Sequence, residues 1–321
     1  MNKKIVFMGT PEFAVESLKA LVENGYEVAG VVTVPDKPVG KHQSTLQASA
    51  VKRYALEKNL PLLQPEKMKN PGFLEQLRAW DAGLQIVVAF RMLPEAVWNM
   101  PENGTFNLHA SLLPQYRGAA PINWAIINGE TETGVTTFFL DHEIDTGKII
   151  FQEKTPISET DTAETVHDRL MRLGADLVLR TVDAIFAGKA QAVPQSEAAV
   201  DAASLKPAPK IFKETCQIDW NKSAKAVYNF IRGLSPYPAA VTELKTADGN
   251  PLNLKIFEAE KILKPHELPT GSIVSDGKKF MDVAATDGFI RLKSIQQAGK
   301  KRMNIEDFLR GNASKISSSV S

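Results

Sequence analysis

Cysteine is all but missing from this 321-residue chain, where Cys216 stands alone. A single thiol excludes an intrachain disulfide and any zinc site built from cysteines, and it fits a reducing compartment. Net charge is nearly missing too, with 38 Lys and Arg against 37 Asp and Glu. No uninterrupted apolar run approaches the roughly 18 to 20 residues of a membrane-spanning helix. The opening residues 1–9 are expected to be structure, being too short for a secretory leader. Disorder is not expected either, because 43% hydrophobic residues at a net charge of +1 is the reverse of an unfolded chain's composition. At about 150 residues per domain, the length predicts two domains, each able to bury its own core.

The near-zero charge is a cancellation. Residues 206–321 carry 19 Lys and Arg against 12 Asp and Glu, a net of +7, which leaves −6 for residues 1–205. A basic module carried by an acidic one is the footprint of a nucleic-acid partner. The lysines are scattered, however, and an imbalance between solvated faces gives the same sum.

Strands and helices alternate in the first half. Short apolar strands are predicted at 4–8, 28–34, 84–90, 106–108 and 136–140, with helices starting after Gly9 and near 48–59, 73–80 and 122–128. Repeated βα units imply an α/β, doubly wound, mostly parallel sheet, whose ligands bind beyond the carboxyl ends of the strands. Function is therefore expected in the loops after Met8, Phe90, Leu108 and Leu140. A long helix is predicted over 162–187, a linker over 191–209, and a further helix over 223–234. Five short strands between 241 and 295, separated by Gly, Asp and Pro turns, predict a small C-terminal β-barrel of the OB-like kind. The tail 311–321 is expected to be disordered. The domain reading is thus 1–190, a linker 191–209, and 210–321.

Asn107-Leu108-His109 alternates along a strand, so Asn107 and His109 share a face. A second loop, 141–147, holds three carboxylates. An amide, an imidazole and a carboxylate converging above a sheet suit acyl transfer, although a histidine at a strand end serves as readily as a satisfied structural residue. Spacing alone does not choose between them.

Gly9-Thr10-Pro11-Glu12-Phe13-Ala14, the run 107–121 and Asp145-Thr146-Gly147 closely resemble the methionyl-tRNA formyltransferase family, within the folate-dependent formyltransferases. The likeness continues through Ala208-Pro209-Lys210-Ile211, Ile218-Asp219-Trp220, Pro236-Tyr237-Pro238 and Ala298-Gly299-Lys300-Lys301. The resemblance implies a Rossmann-like domain that takes 10-formyltetrahydrofolate as formyl donor and a barrel that helps hold initiator methionyl-tRNA, in a cytoplasmic monomer that needs no metal. It implies a catalytic set of Asn107, His109 and Asp145, and a folate site including Ser111, Leu112, Leu113 and Pro114. Val87 to Phe90 and Met92 to Pro94 resemble the strand and loop lining the pterin pocket, with Phe90 and Leu93 as candidates; Val87 and Ala89 read better as core. The family often has Tyr-Gly where Phe90-Arg91 stands, which leaves the role of Arg91 open. The loop 35–42 resembles the family's flexible loop near the tRNA acceptor end, with Lys41 where Arg is common. Lys206 and Lys210, and beyond them Lys300, Lys301 and Arg302, are candidates for phosphate contacts.

Competing readings fit less of the chain. A nicotinamide oxidoreductase needs Gly-x-Gly-x-x-Gly after the first strand, and Gly9-Thr10-Pro11-Glu12-Phe13-Ala14 lacks it. A nonenzymatic RNA-binding protein leaves Asn107, His109 and Asp145 unexplained. Formyltransferases acting on glycinamide ribonucleotide or sugar nucleotides, and formyltetrahydrofolate hydrolase, share similar catalytic strands without this basic C-terminal module.

Overall fold

A computed structural model describes residues 1–39, 45–197, 202–246, 250–312 and 316–320. The chain divides into two compact units, one of Met1–Gly118, Thr133–Thr155 and His167–Pro207, the other of Ala119–Glu132, Pro156–Val166 and Ala208–Ser321. Among the described residues no helix is long and apolar enough to cross a membrane.

In the first unit, β1 (Ile5–Gly9), α1 (Glu12–Glu23) and β2 (Val28–Val32) precede a small antiparallel hairpin of β3 (Lys37–Val39) and β4 (Thr45–Gln47). Then come α2 (Ala50–Glu57), β5 (Leu62–Leu63), α3 (Pro71–Ala79), β6 (Leu84–Val88), α4 (Glu95–Trp98) and β7 (Thr105–His109). After α5 (Pro121–Ile127) the sheet is completed by β8 (Glu132–Phe139) and β9 (Ile149–Pro156), and α6 (Ala163–Phe186) follows. The strand order is β5-β2-β1-β6-β7-β8-β9. The first five of these pair in parallel, as expected of βα units.

Local chemistry explains the elements. Every residue of β1 and β6 is buried, as in strands covered on both faces. Ser49 accepts from Lys52 N to cap α2, and Asn70 accepts from Gly72 N and Phe73 N to cap α3, with Pro71 at its first position; each such cap is worth about 1 kcal/mol. On one side of the sheet Met8, Val32 and Val87 pack with Phe73, Leu77, Leu93 and Val97. On another face of the unit, α6 docks through a 2.9 Å bond between Thr137 Oγ1 and Thr181 Oγ1 and through Leu108, which lies against Gly174.

The structure differs from expectation at β8, which runs antiparallel to β7. A helix between two strands reads as a βαβ crossover, but α5 belongs to the other compact unit. The two-residue β5 and the terminal β9 were not expected; β5 is too short to show a period.

In the second unit, α7 (Ala224–Leu234) is capped by Ser223 and packs against α5. The strands are β10 (Ala240–Thr246), β11 (Pro251–Ile262), β12 (Ile273–Ser275), β13 (Met281–Ala284), β14 (Phe289–Gln297) and β15 (Met303–Asn304), followed by α8 (Ile305–Asn312) and β16 (Ile316–Val320). The order β12-β13-β14-β11-β10-β16, with β15 on β14, is antiparallel throughout its paired ladders. Its edge strands β12 and β16 approach each other, so the sheet curls toward a partly open barrel around Leu254, Ile256, Val283, Leu292 and Phe308. Within the tail expected to be disordered, Ile316–Val320 form an edge strand, with Leu244 opposite Val320 and Thr246 opposite Ile316. Arg232 joins the segment Pro156–Val166 to α7, donating to the carbonyls of Ser158 and Asp161 at 3.1 and 2.8 Å and to Asn229 Oδ1 at 2.9 Å.

Candidate active site

The alternation of β7 places the chemistry. Leu108 lies so close to α6 that a Cβ on Gly174 would be 2.6 Å from its Cδ2. Asn107 and His109 therefore project from the opposite face. Asn107 is half-buried, and no hydrogen bond among the described residues engages its amide. His109 is 7% exposed, with Nε2 2.9 Å from the Tyr116 carbonyl. A carbonyl only accepts, so Nε2 carries the proton in that contact. The other ring nitrogen, Nδ1, faces Asp145 Oδ2 at 3.9 Å, an ion-pair distance longer than a hydrogen bond.

Asp145 reaches the histidine by an indirect route. Because β8 is antiparallel, Phe139 pairs with Phe106 near the start of β7, whereas His109 sits at its far end opposite Thr136. Residues 140–148 must run back along the sheet. Four local features hold them there. Asp145 takes a left-handed backbone, φ 56°. Gly118 N donates to Asp145 Oδ2 at 3.0 Å. Gln195 Nε2 donates to the carbonyls of Asp145 and Gly147 at 2.8 and 2.9 Å. Gly147 lies against Phe139 so closely that a Cβ would be 1.7 Å from the Phe139 carbonyl oxygen, which leaves glycine as the residue that fits.

The loop after β7 is fixed just as tightly. Thr136 Oγ1 donates to the Ser111 carbonyl at 2.6 Å and accepts from Leu113 N and Gln152 Nε2; Gln152 also donates to the Leu113 carbonyl. Ser111 Oγ donates to the Gln115 carbonyl at 2.7 Å. Each such buried bond adds about 1 kcal/mol and together they set the loop's shape. Ser111, Leu113 and Pro114 are buried and Leu112 is half-buried. Across the sheet, Gly9, Val88 and Leu108 are level, so the loops after β1, β6 and β7 leave at one end. In the loop after β6, Phe90 is half-buried, Met92 is 72% exposed, and Leu93 is buried in the core with Val87 and Val97. Among the described residues no group of three or more His, Cys, Asp or Glu side chains is arranged to hold a metal ion.

Residues 3–182 match the family model described as formyl transferase, and residues 210–313 match the formyl transferase C-terminal domain. The chain is 68% identical over 308 residues to methionyl-tRNA formyltransferase of Parabacteroides distasonis, covering 96% of this chain and 95% of that one. It is 52% identical to the enzyme of the same name from Flavobacterium johnsoniae, covering 96% of each. The chain belongs to the methionyl-tRNA formyltransferase family. Solved structures of distant sequence share the fold. A sugar 3N-formyl transferase, WlaRD, crystallised with dTDP and 5-N-formyl-tetrahydrofolate, aligns at a TM-score of 0.62 and 19% identity over 94% of this chain and all of that one. HypX from Aquifex aeolicus, in complex with tetrahydrofolic acid, aligns at 0.62 and 18% over 96% of this chain and 47% of that one.

Arg91 is engaged locally. Its guanidinium donates to the carbonyls of Pro65 and Glu66 and lies 5.6 Å from the Phe90 ring, and burial pulls its pKa down. It ties the loop after β6 to the segment after β5. Lys41 lies outside the described residues. Lys206 and Lys210 are exposed; the Lys206 backbone accepts from Tyr116 N and donates to Gln115 Oε1, and the Lys210 ammonium lies 5.4 Å from the Phe212 ring. Lys300 and Lys301 are exposed, while Arg302 is committed to Glu258 and Ser294 and lies over the Phe257 ring. Sequence reasoning gave no role to Arg117, Gly118, Tyr116 or Gln195. Three of these fall within the run 107–121, which was the signal for them; Gln195 sits in an aperiodic segment that offered none.

Proposed function

We propose that this chain transfers the formyl group of 10-formyltetrahydrofolate to the α-amino group of methionine on initiator methionyl-tRNA. The observation that carries the reading is His109 held between the Tyr116 carbonyl and Asp145, two residues along the strand from a half-buried asparagine amide, in a chain of this family. The donor supplies the formyl carbon. As the methionyl amine attacks it, negative charge gathers on the formyl oxygen, and Asn107 Nδ2 offers that oxygen a hydrogen bond in the manner of an oxyanion hole. His109 joins by moving its Nε2 proton from the Tyr116 carbonyl to the same oxygen. Asp145 faces Nδ1 at 3.9 Å, so its carboxylate lies beside positive charge that gathers on the ring during the transfer. The attacking amine must lose a proton and the departing folate nitrogen must gain one, and His109 is the titratable group placed to relay it.

Ser111, Leu112, Leu113 and Pro114, with Phe90 and Leu93, are our candidates for the folate site; Leu93 acts from the core, in the cluster that Phe90 packs against. We assign the chemistry to residues 1–190 and the hold on tRNA to 210–321 with Lys41, Lys206 and Lys210, in a cytoplasmic monomer. The test is formyl transfer by the purified chain to methionyl-tRNA, run beside free methionine, glycinamide ribonucleotide and amino-sugar nucleotides. Transfer to methionyl-tRNA far above the small amines is expected. Transfer confined to a small amine overturns the reading.

A further inference from the structure

Gln195 is 5% exposed, and its carboxamide is fully used. Both amide protons are given away, one to the Asp145 carbonyl at 2.8 Å and one to the Gly147 carbonyl at 2.9 Å. The oxygen accepts from Arg117 Nε at 3.1 Å and Arg117 Nη2 at 2.6 Å. The residue next to Arg117 is Gly118, whose N–H holds Asp145 Oδ2. One buried amide thus joins the two loops that meet at Asp145. Gln195 comes from a short helical turn, Gln195–Glu197, which is anchored by the bridge between Val193 and Ile149 at the start of β9.

The antiparallel course of β8 makes such a clasp necessary. The loop 140–148 leaves the sheet near the start of β7, so no strand ladder carries Asp145 to His109. Its place depends on side-chain and loop contacts. A misplacement of about 1 Å in a catalytic constellation can cost about 100-fold in rate.

We propose that Gln195 is a positioning residue for the reaction: its carboxamide, oriented by Arg117, clamps the loop 145–147 so that Asp145 faces His109. The proposal rests on the reading of Asp145 and His109 as catalytic, and its test separates the two. Gln195→Glu keeps the acceptor for Arg117 and loses both donors. Gln195→Met keeps the size and loses every hydrogen bond. In both variants kcat should fall about 10-fold or more while the KM for the folate donor changes less than about 3-fold, because the clamp touches neither substrate. Without any substrate, amides in residues 144–148 should exchange with deuterium about 10-fold faster than in the wild type, with amides in β1 and β6 unchanged. In Gln195→Glu, the ion pair that Arg117 gains with the introduced carboxylate is expected to keep the variant folded if Gln195→Met is not.

A kcat within twofold of wild type in Gln195→Glu overturns the proposal, and so does unchanged loop exchange, or a loss carried wholly by KM. A wild-type chain that formylates only a small amine overturns the acceptor reading instead. In that case kcat is measured on that amine, and the exchange result still decides the role of Gln195.

Discussion

Asp145 Oδ2 serves two neighbours at once: it accepts from Gly118 N at 3.0 Å and faces His109 Nδ1 at 3.9 Å. Only the carboxylate does both. The side chain is 13% exposed, so water screens its charge weakly. Asp145→Asn keeps the size and an oxygen for Gly118 but removes the charge beside the imidazole. Turnover should fall about 100-fold or more, while affinity for the folate donor changes less than about 3-fold. Steady-state kinetics with a separate binding measurement for the donor checks this. Wild-type turnover in the variant would remove Asp145 from the proposed catalytic set.

At the scale of the element, α6 holds the far side of β7 in place. Its contacts are Gly174 against Leu108, Thr181 against Thr137, and Asp183 accepting from Tyr26 at 2.5 Å. The last contact titrates. Burial first, then the hydrogen bond to Asp183 and its charge, push the Tyr26 hydroxyl up to about 12. The folded chain keeps this proton where an unfolded chain, with tyrosine near 10, has lost it. The contribution is therefore complete below about pH 10 and is lost as pH rises toward about 12. Tyr26→Phe should melt below the wild type at pH 9, and the gap should close as pH rises through that window. A gap in Tm that stays constant from about pH 9 to about pH 11.5 would refute the assignment.

The same elements show what the sequence could carry. Alternation in Asn107-Leu108-His109 predicted which side chains share a face, because a strand's period is local. The helix start expected at Ser223 coincides with its cap, whereas the caps Ser49 and Asn70 lie one residue inside and three residues before the starts expected at 48 and 73. Strand direction is a tertiary property: α5 has the pattern of a crossover helix, and only the β7–β8 ladder shows that β8 turns back. Gln195 was illegible because a clamp of four hydrogen bonds has no sequence period. Resemblance supplied what spacing lacked, since it singled out Asp145 from three carboxylates in its loop.

For the whole molecule, the charge of +1 conceals a −6 segment and a +7 segment, and the two predict different salt responses. Phosphate contacts release condensed counterions, so affinity for tRNA falls steeply with salt, whereas chemistry at a buried site responds little. Raising salt from about 50 to 200 mM should weaken tRNA binding about 10-fold or more if several lysines touch phosphates. Single-turnover rates at saturating tRNA should change much less. Lys210→Ala and Lys301→Ala should each lower the slope of log K against log salt by about one and weaken binding alike for initiator and elongator tRNA, as sequence-independent phosphate contacts do. Lys41→Ala is the complementary case: by its resemblance to the acceptor-end loop it should reduce the slope from the catalytic side. An unchanged slope in Lys210→Ala and Lys301→Ala would mean that these charges solvate the second unit's surface, and the basic excess of residues 206–321 would then need a different partner from the tRNA backbone.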